Sequence, residues 1–204
     1  MAFTVVYDAC VLFPAPLRDL LIRVAHAGLV RARWSDAILD ECFRNIVASR
    51  PDLDPIVLDR TRRFMNAAIA DALVTGYEHL VDALVLPDPD DRHVLAAAVR
   101  SAAQVIVTRN LRDFPNDKLA PYGVEAQHPD DFVLGLIDLA PGAIASIVAQ
   151  QAAALKNPPR SPAELLETLR EQGLGREAAR AARSDRGMSR TACIWLVRAL
   201  QVAL

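Results

Sequence analysis

Lysine is nearly missing from this 204-residue chain; Lys118 and Lys156 are the only two, and arginine carries the remaining positive charge. The formal net charge of −2 excludes a strongly basic molecule that captures duplex DNA along its whole surface. Arginine forks suit phosphate, although coding bias explains an arginine- and alanine-rich composition more simply. Cysteine is also scarce: Cys10, Cys42 and Cys193 are odd in number and widely spaced, with no CxxC and no zinc-ligand pattern. A disulfide scaffold is therefore excluded, and a reducing compartment fits. No apolar run approaches the ~20 residues of a membrane span. Met1 leads straight into Phe3-Thr4-Val5-Val6-Tyr7, without the basic start and apolar stretch of a leader peptide. The expectation is a cytoplasmic protein with no membrane association. Internal repeats are absent too.

What is present is ordinary for a globular protein: 52% of residues are hydrophobic and 24% charged, enough for one domain with its own core and an appendage. Over residues 1–157, short β-rich runs alternate with helical periodicity, which predicts an α/β fold with a mainly parallel sheet. Strands are expected at residues 3–7, 83–86 and 105–107, with a short last one at 124–126. Helices are expected after Pro14-Ala15-Pro16, after Ser35 as N-cap, across 55–73 as one helix or two, and from Asp90 or Asp91 onward. Two more are expected at 129–139 and 141–155. Asn157-Pro158-Pro159-Arg160 reads as a linker. Ser161-Pro162 then opens a helical hairpin broken at Gly173-Leu174-Gly175, so residues 158–204 form a C-terminal helical extension. Its end, residues 184–204, has Ser189 as a possible cap and an apolar stretch at 194–204 suited to a buried or partner-facing helix, or else foreign to the domain.

Carboxylates far apart in the chain carry the chemistry. In an open α/β sheet, ligands bind beyond the carboxyl ends of the strands. Asp8 directly follows the first strand, and Asp113 lies in the loop behind the 105–107 strand. Asp91 stands at a helix start, and Glu41 projects from the helix behind Ser35. Taken singly, Asp91 reads as helix-capping charge, Asp113 as a turn residue and Glu41 as a solvated side chain. An acid at the tip of a buried first strand is harder to dismiss. Converging carboxylates resist joint ionisation, and a divalent cation with oxygen ligands resolves that conflict.

The segments Val6-Tyr7-Asp8-Ala9-Cys10-Val11-Leu12, Ser35-Asp36-Ala37-Ile38-Leu39-Asp40-Glu41, Asp88-Pro89-Asp90-Asp91-Arg92-His93-Val94-Leu95 and Val107-Thr108-Arg109-Asn110-Leu111-Arg112-Asp113-Phe114-Pro115 resemble the PIN-domain family in order and spacing. The resemblance covers roughly residues 3 to 155 and is nearest to the VapC-like toxin ribonucleases. It implies a Rossmann-like three-layer fold and an endoribonuclease with Mg²⁺ or Mn²⁺ held by Asp8, Glu41, Asp91 and Asp113. Asp90 and Asp91 both fit the third position, and the family spacing of Val94, Leu95 and Ala98 favours Asp91. Thr108, Arg109, Asn110 and Arg112 would contact substrate, with Thr108 also suited to bonding the first carboxylate. His93 reads as a helix-surface residue rather than a base, and Cys10 and Cys42 as small core residues. An RNA substrate, a cognate antitoxin and a possible homodimer are the implied partners. A haloacid-dehalogenase-type enzyme would need a second Asp where Cys10 stands, and a lysine near the phosphate. A receiver domain would need the same lysine, and paired acids before Asp8, which this chain lacks. A non-catalytic PIN-like module binding RNA or protein is the alternative.

Overall fold

The first strand, β1 (Thr4–Tyr7), runs up the middle of the sheet, and Val5, Val6 and Tyr7 are fully buried. Successive strand residues face opposite sides, so burial of all three means that both faces of the sheet are covered. The computed structural model describes residues 2–174. Within them, β1 pairs in parallel with β2 (Arg31–Ser35) on one side and β4 (Val105–Val107) on the other. Beyond β2 lies β3 (Leu73–Val74), and beyond β4 lies β5 (Glu125–Gln127). The order is β3-β2-β1-β4-β5, with every pair parallel. The chain thus builds outward from β1 in one direction, then returns to build in the other. The reversal lies between β1 and β4, where such sheets open a crevice at their carboxyl ends.

Helices supply the outer layers of this α/β fold. After β1 come the short α1 (Ala9–Leu12) and α2 (Ala15–His26), which buries Leu17, Leu20, Leu21 and Val24 at helical spacing. After β2 comes α3 (Asp36–Ser49), whose N-cap Ser35 accepts from the Ile38 amide at 3.2 Å. Then come α4 (Pro55–Ala68) and the single turn α5 (Glu78–Val81). A 3-10 turn at Pro89–Asp91 leads into α6 (Arg92–Arg100), which crosses β1, β2 and β4 with Val94 to Ala98 buried. The single turn α7 (Asn116–Leu119) precedes β5, and α8 (Pro129–Leu139) and α9 (Pro141–Ala154) follow it. Finally, α10 (Pro162–Glu171) packs on α9 and α2 through buried Leu165 and Leu169. Its start is held by a capping box in which the Ser161 hydroxyl and the Glu164 carboxylate each bond the other's backbone amide.

The strand reading changes in several places. Residues 83–86 show strand-like alternation, with Leu84 and Leu86 buried and Val85 exposed, yet they pair with nothing. The sheet edge beside β2 is already occupied by β3. The strand overlooked was β2, because Arg31 and Arg33 break the apolar run expected of a buried parallel strand. β3 has only two residues, too few for a pattern. The last strand lies one residue later than expected, at Glu125–Gln127, and residues 55–73 hold one helix that stops at Ala68. No single described helix is long and apolar enough to cross a membrane. The pair α8 and α9 passes that test only jointly, across a bend of 118°. Cys193, the possible cap at Ser189, the 194–204 stretch and the second half of the expected hairpin lie outside the described residues.

Candidate metal centre and active site

The parallel register sets Tyr7 beside Val107, so the next residues, Asp8 and Thr108, meet across the crevice. Thr108 is fully buried and donates its hydroxyl to Asp8 Oδ2 at 2.6 Å. The Cys10 thiol donates to the same oxygen at 3.0 Å, and the Ala9 amide donates to Oδ1 at 2.6 Å. Asp8 is only 4% exposed. Burial pushes its carboxyl above the usual range; the Thr108 and Cys10 hydrogen bonds oppose this, and the nearby Glu41 charge adds to it. Cys10, expected to be a core residue, is in fact part of the support for Asp8, and burial raises its thiol strongly. Cys42 is the fully buried core residue expected of it.

The loop after β4 continues the same network. The Asn110 amide donates to the Thr108 hydroxyl at 3.0 Å, and the Asn110 side chain donates to the Asp113 carboxylate. Asp113 is thereby tied through Asn110 and Thr108 to Asp8, although 105 positions separate the two acids in sequence. From the other side, the 3-10 turn brings in Asp91. It sits at the N-cap position of α6, yet its side chain makes no capping hydrogen bond. Asp88 caps the turn instead, accepting from the Asp90 amide at 2.9 Å. The simple capping role is therefore filled by a different aspartate, and Asp91 is left facing the crevice.

Asp88, Asp91 and Asp113 each offer a carboxylate oxygen within 4.8 Å of the others. Asp8 and Glu41 are not in that tight trio. They stand close enough that, after burial, the charges of Asp8, Asp88, Asp113 and Glu41 together raise the Asp91 carboxyl from 3.8 to about 7. So the structure brings together all four expected acids. It also adds Asp88, which sequence reasoning passed over as one of three neighbouring acids in Asp88-Pro89-Asp90-Asp91. Asp90 is exposed and outside the cluster. His93 is not on the open surface: its Nε2 lies 3.6 Å from Glu41 Oε2, and its Nδ1 is buried without a partner among the described residues.

The expected substrate contacts separate into two kinds. Thr108 faces inward and serves Asp8, while Asn110 serves Asp113. Arg112 is exposed on the same loop. The Arg109 side chain turns to the C-terminal extension, donating to the Gln172 carbonyl at 2.6 Å.

The donor set fits a hard divalent cation. Every candidate ligand atom in the trio is a carboxylate oxygen, the donor that Mg²⁺ and Mn²⁺ prefer. Asp91 Oδ2 is buried and has no hydrogen-bond partner among the described residues, an arrangement that is costly unless something binds there. Among the described residues, no arginine or lysine forms an ion pair with Asp8, Asp88, Asp91 or Asp113.

A family model described as a PIN domain matches residues 4–112, more than half of the chain. The chain belongs to the PIN-domain family. The all-parallel five-stranded sheet is the PIN fold. A second model, described as the VapC50 C-terminal domain, matches residues 129–183 and so straddles the linker at 157–160. A relative from Mycobacterium tuberculosis, named "Putative ribonuclease VapC50", is 46% identical over 101 residues, half of this chain. The match spans 59% of that relative's length. No solved structure matches the chain.

Proposed function

We propose that this PIN-domain protein is a divalent-metal-dependent endoribonuclease, acting in the cytoplasm as the toxin of a type II toxin–antitoxin pair. One observation carries the reading. Asp91 lies among four other acids, with a buried oxygen that no described residue satisfies, at the crevice between β1 and β4. The ribonuclease name of the 46% identical relative supports the substrate class.

Asp91, Asp113 and Asp88 would hold Mg²⁺ or Mn²⁺, with Asp8 and Glu41 beside them. When bound, the cation supplies a water of lowered pKa and stabilises the charge that builds on the phosphate oxygens. In the reaction, a water oxygen adds to phosphorus, one P–O bond breaks and the departing oxygen takes up a proton. The chain's own task is placement. Thr108 fixes the rotamer of Asp8, Asn110 fixes Asp113, and Arg112 is free to meet a neighbouring phosphate. An antitoxin is the proposed protein partner; the exposed Val47 on α3 and Ile56, Val57 and Phe64 on α4 offer it apolar surface.

The test is cleavage of single-stranded RNA by the purified chain with Mn²⁺ or Mg²⁺, with and without chelator. Chelator-sensitive cleavage that is lost in Asp91→Asn is expected. RNA binding without cleavage at any metal concentration would favour the non-catalytic module.

A further inference from the structure

Among the described residues, the Arg109 side chain bonds the catalytic loop to α10. This arginine sits between Thr108, which holds Asp8, and Asn110, which holds Asp113. Its amide donates to Cys10 Sγ at 3.2 Å, so its backbone is already fastened to the β1 side of the crevice. Its guanidinium then donates from Nη2 to the Gln172 carbonyl at 2.6 Å, across 63 residues of sequence.

Gln172 is the C-cap of α10, where the last carbonyls of the helix lack intrahelical donors. A helix C-terminus carries partial negative charge, and arginine is well suited to it. The helix offering that carbonyl is firmly placed: its start has a capping box, and Leu165, Leu169 and Leu174 are buried in the same core as the sheet. A firmly packed helix end thus meets a loop otherwise held by hydrogen bonds to Asp8 and Cys10.

We infer that Arg109 is a positioning residue: it anchors the metal-binding loop to the C-cap of α10, so the extension helps to set the placement of Thr108 and Asp113. The inference rests on the reading of that loop as part of a metal site. It reassigns Arg109 from a phosphate contact to a structural tie between the loop after β4 and α10. The two roles differ when no RNA is present. A phosphate contact acts only on substrate, whereas an anchor acts on the free protein.

The experiment uses the full-length chain and its Arg109→Ala and Arg109→Lys variants without RNA. Mn²⁺ binding is measured by calorimetry, and amide hydrogen exchange is followed in peptides covering 108–113 and 168–174. In Arg109→Ala, exchange in both peptides accelerates together, and Mn²⁺ affinity falls about tenfold, the usual scale for a residue behind the ligands. Arg109→Lys, which can still donate to one carbonyl, restores most of both. Unchanged exchange and Mn²⁺ affinity in Arg109→Ala, with a raised KM for RNA and a shallower salt dependence, would establish a phosphate contact and overturn the inference. If the unmodified chain binds no Mn²⁺, the metal reading fails. The paired change in exchange still decides whether the anchor exists.

Discussion

Two acidic regions of this molecule treat their carboxylates in opposite ways. Along α3 and α4 the aspartates have arginine partners: Asp36 and Asp40 share Arg62, and Asp59 pairs with Arg63 at 2.8 Å. In the crevice beyond β1 and β4, Asp8, Asp88, Asp91 and Asp113 have no arginine or lysine partner among the described residues. Their contacts are with neutral donors or with one another. The helix acids are exposed and largely neutralised, so they ask little of the fold. Among the crevice acids Asp8 is buried, Asp91 and Asp113 are partly buried, and all repel one another; Asp91 responds with a carboxyl raised to about 7. A fold that pairs its acids readily elsewhere leaves these without a built-in cation, which is what a site for an exchangeable one requires.

The sharpest test of that contrast is to neutralise one crevice acid. Asp91→Asn should reduce RNA cleavage on the order of 10²–10³-fold, the scale of losing one preorganised electrostatic contribution to a transition state. Single-turnover assays at saturating Mn²⁺ measure it, and near-normal rates would remove Asp91 from the site. Next in size is Thr108→Val, which keeps the shape but deletes the hydroxyl bonded to Asp8. Cleavage should fall roughly 10–100-fold. Stability should drop by about 1–3 kcal/mol in urea unfolding, because a buried carboxylate loses a donor.

The pH dependence of the metal-free protein gives a third test. Asp91 binds its proton more tightly folded than unfolded, so its contribution to stability is full below about pH 4. That contribution is lost as pH rises through about 7, where the folded carboxyl ionises. Asp8 is shifted in the same direction. Differential scanning fluorimetry should therefore show Mn²⁺ raising Tm more at pH 8 than at pH 5, with the difference much reduced in Asp91→Asn. An equal shift at both pH values would mean that the crevice acids are not the binding groups. The smallest effect belongs to the paired region. Arg62→Ala breaks both of its ion pairs but should cost no more than about 1 kcal/mol in the same unfolding assay and leave cleavage unchanged, because the pairs are solvent-screened. A large loss of activity there would dissolve the distinction between the regions.

Much of this was visible in the chain itself, for reasons that particular residues make plain. The buried run at 105–107 and the Ser161-Pro162 helix start are local signals, and both elements form where those signals lie. Asp8 stood out because a strand tip inside an α/β sheet is a poor place for an unsupported acid. β2 was hidden because Arg31 and Arg33 lengthen its polar pattern, while Ala32, Trp34 and Ser35 supply its burial. Residues 83–86 misled for the converse reason: their alternation is real, but no neighbouring strand is available to them.

From the residues alone came the α/β class, the family and the candidate acids, because periodicity and motif spacing are properties of short segments. Tertiary structure decided which aspartate caps and which faces the crevice, brought Asp88 into the cluster, and drew Arg109 away to Gln172. These outcomes depend on where distant segments come to rest against one another. Strand register, helix packing and the competition among charges settle them, and none of the three is a local property.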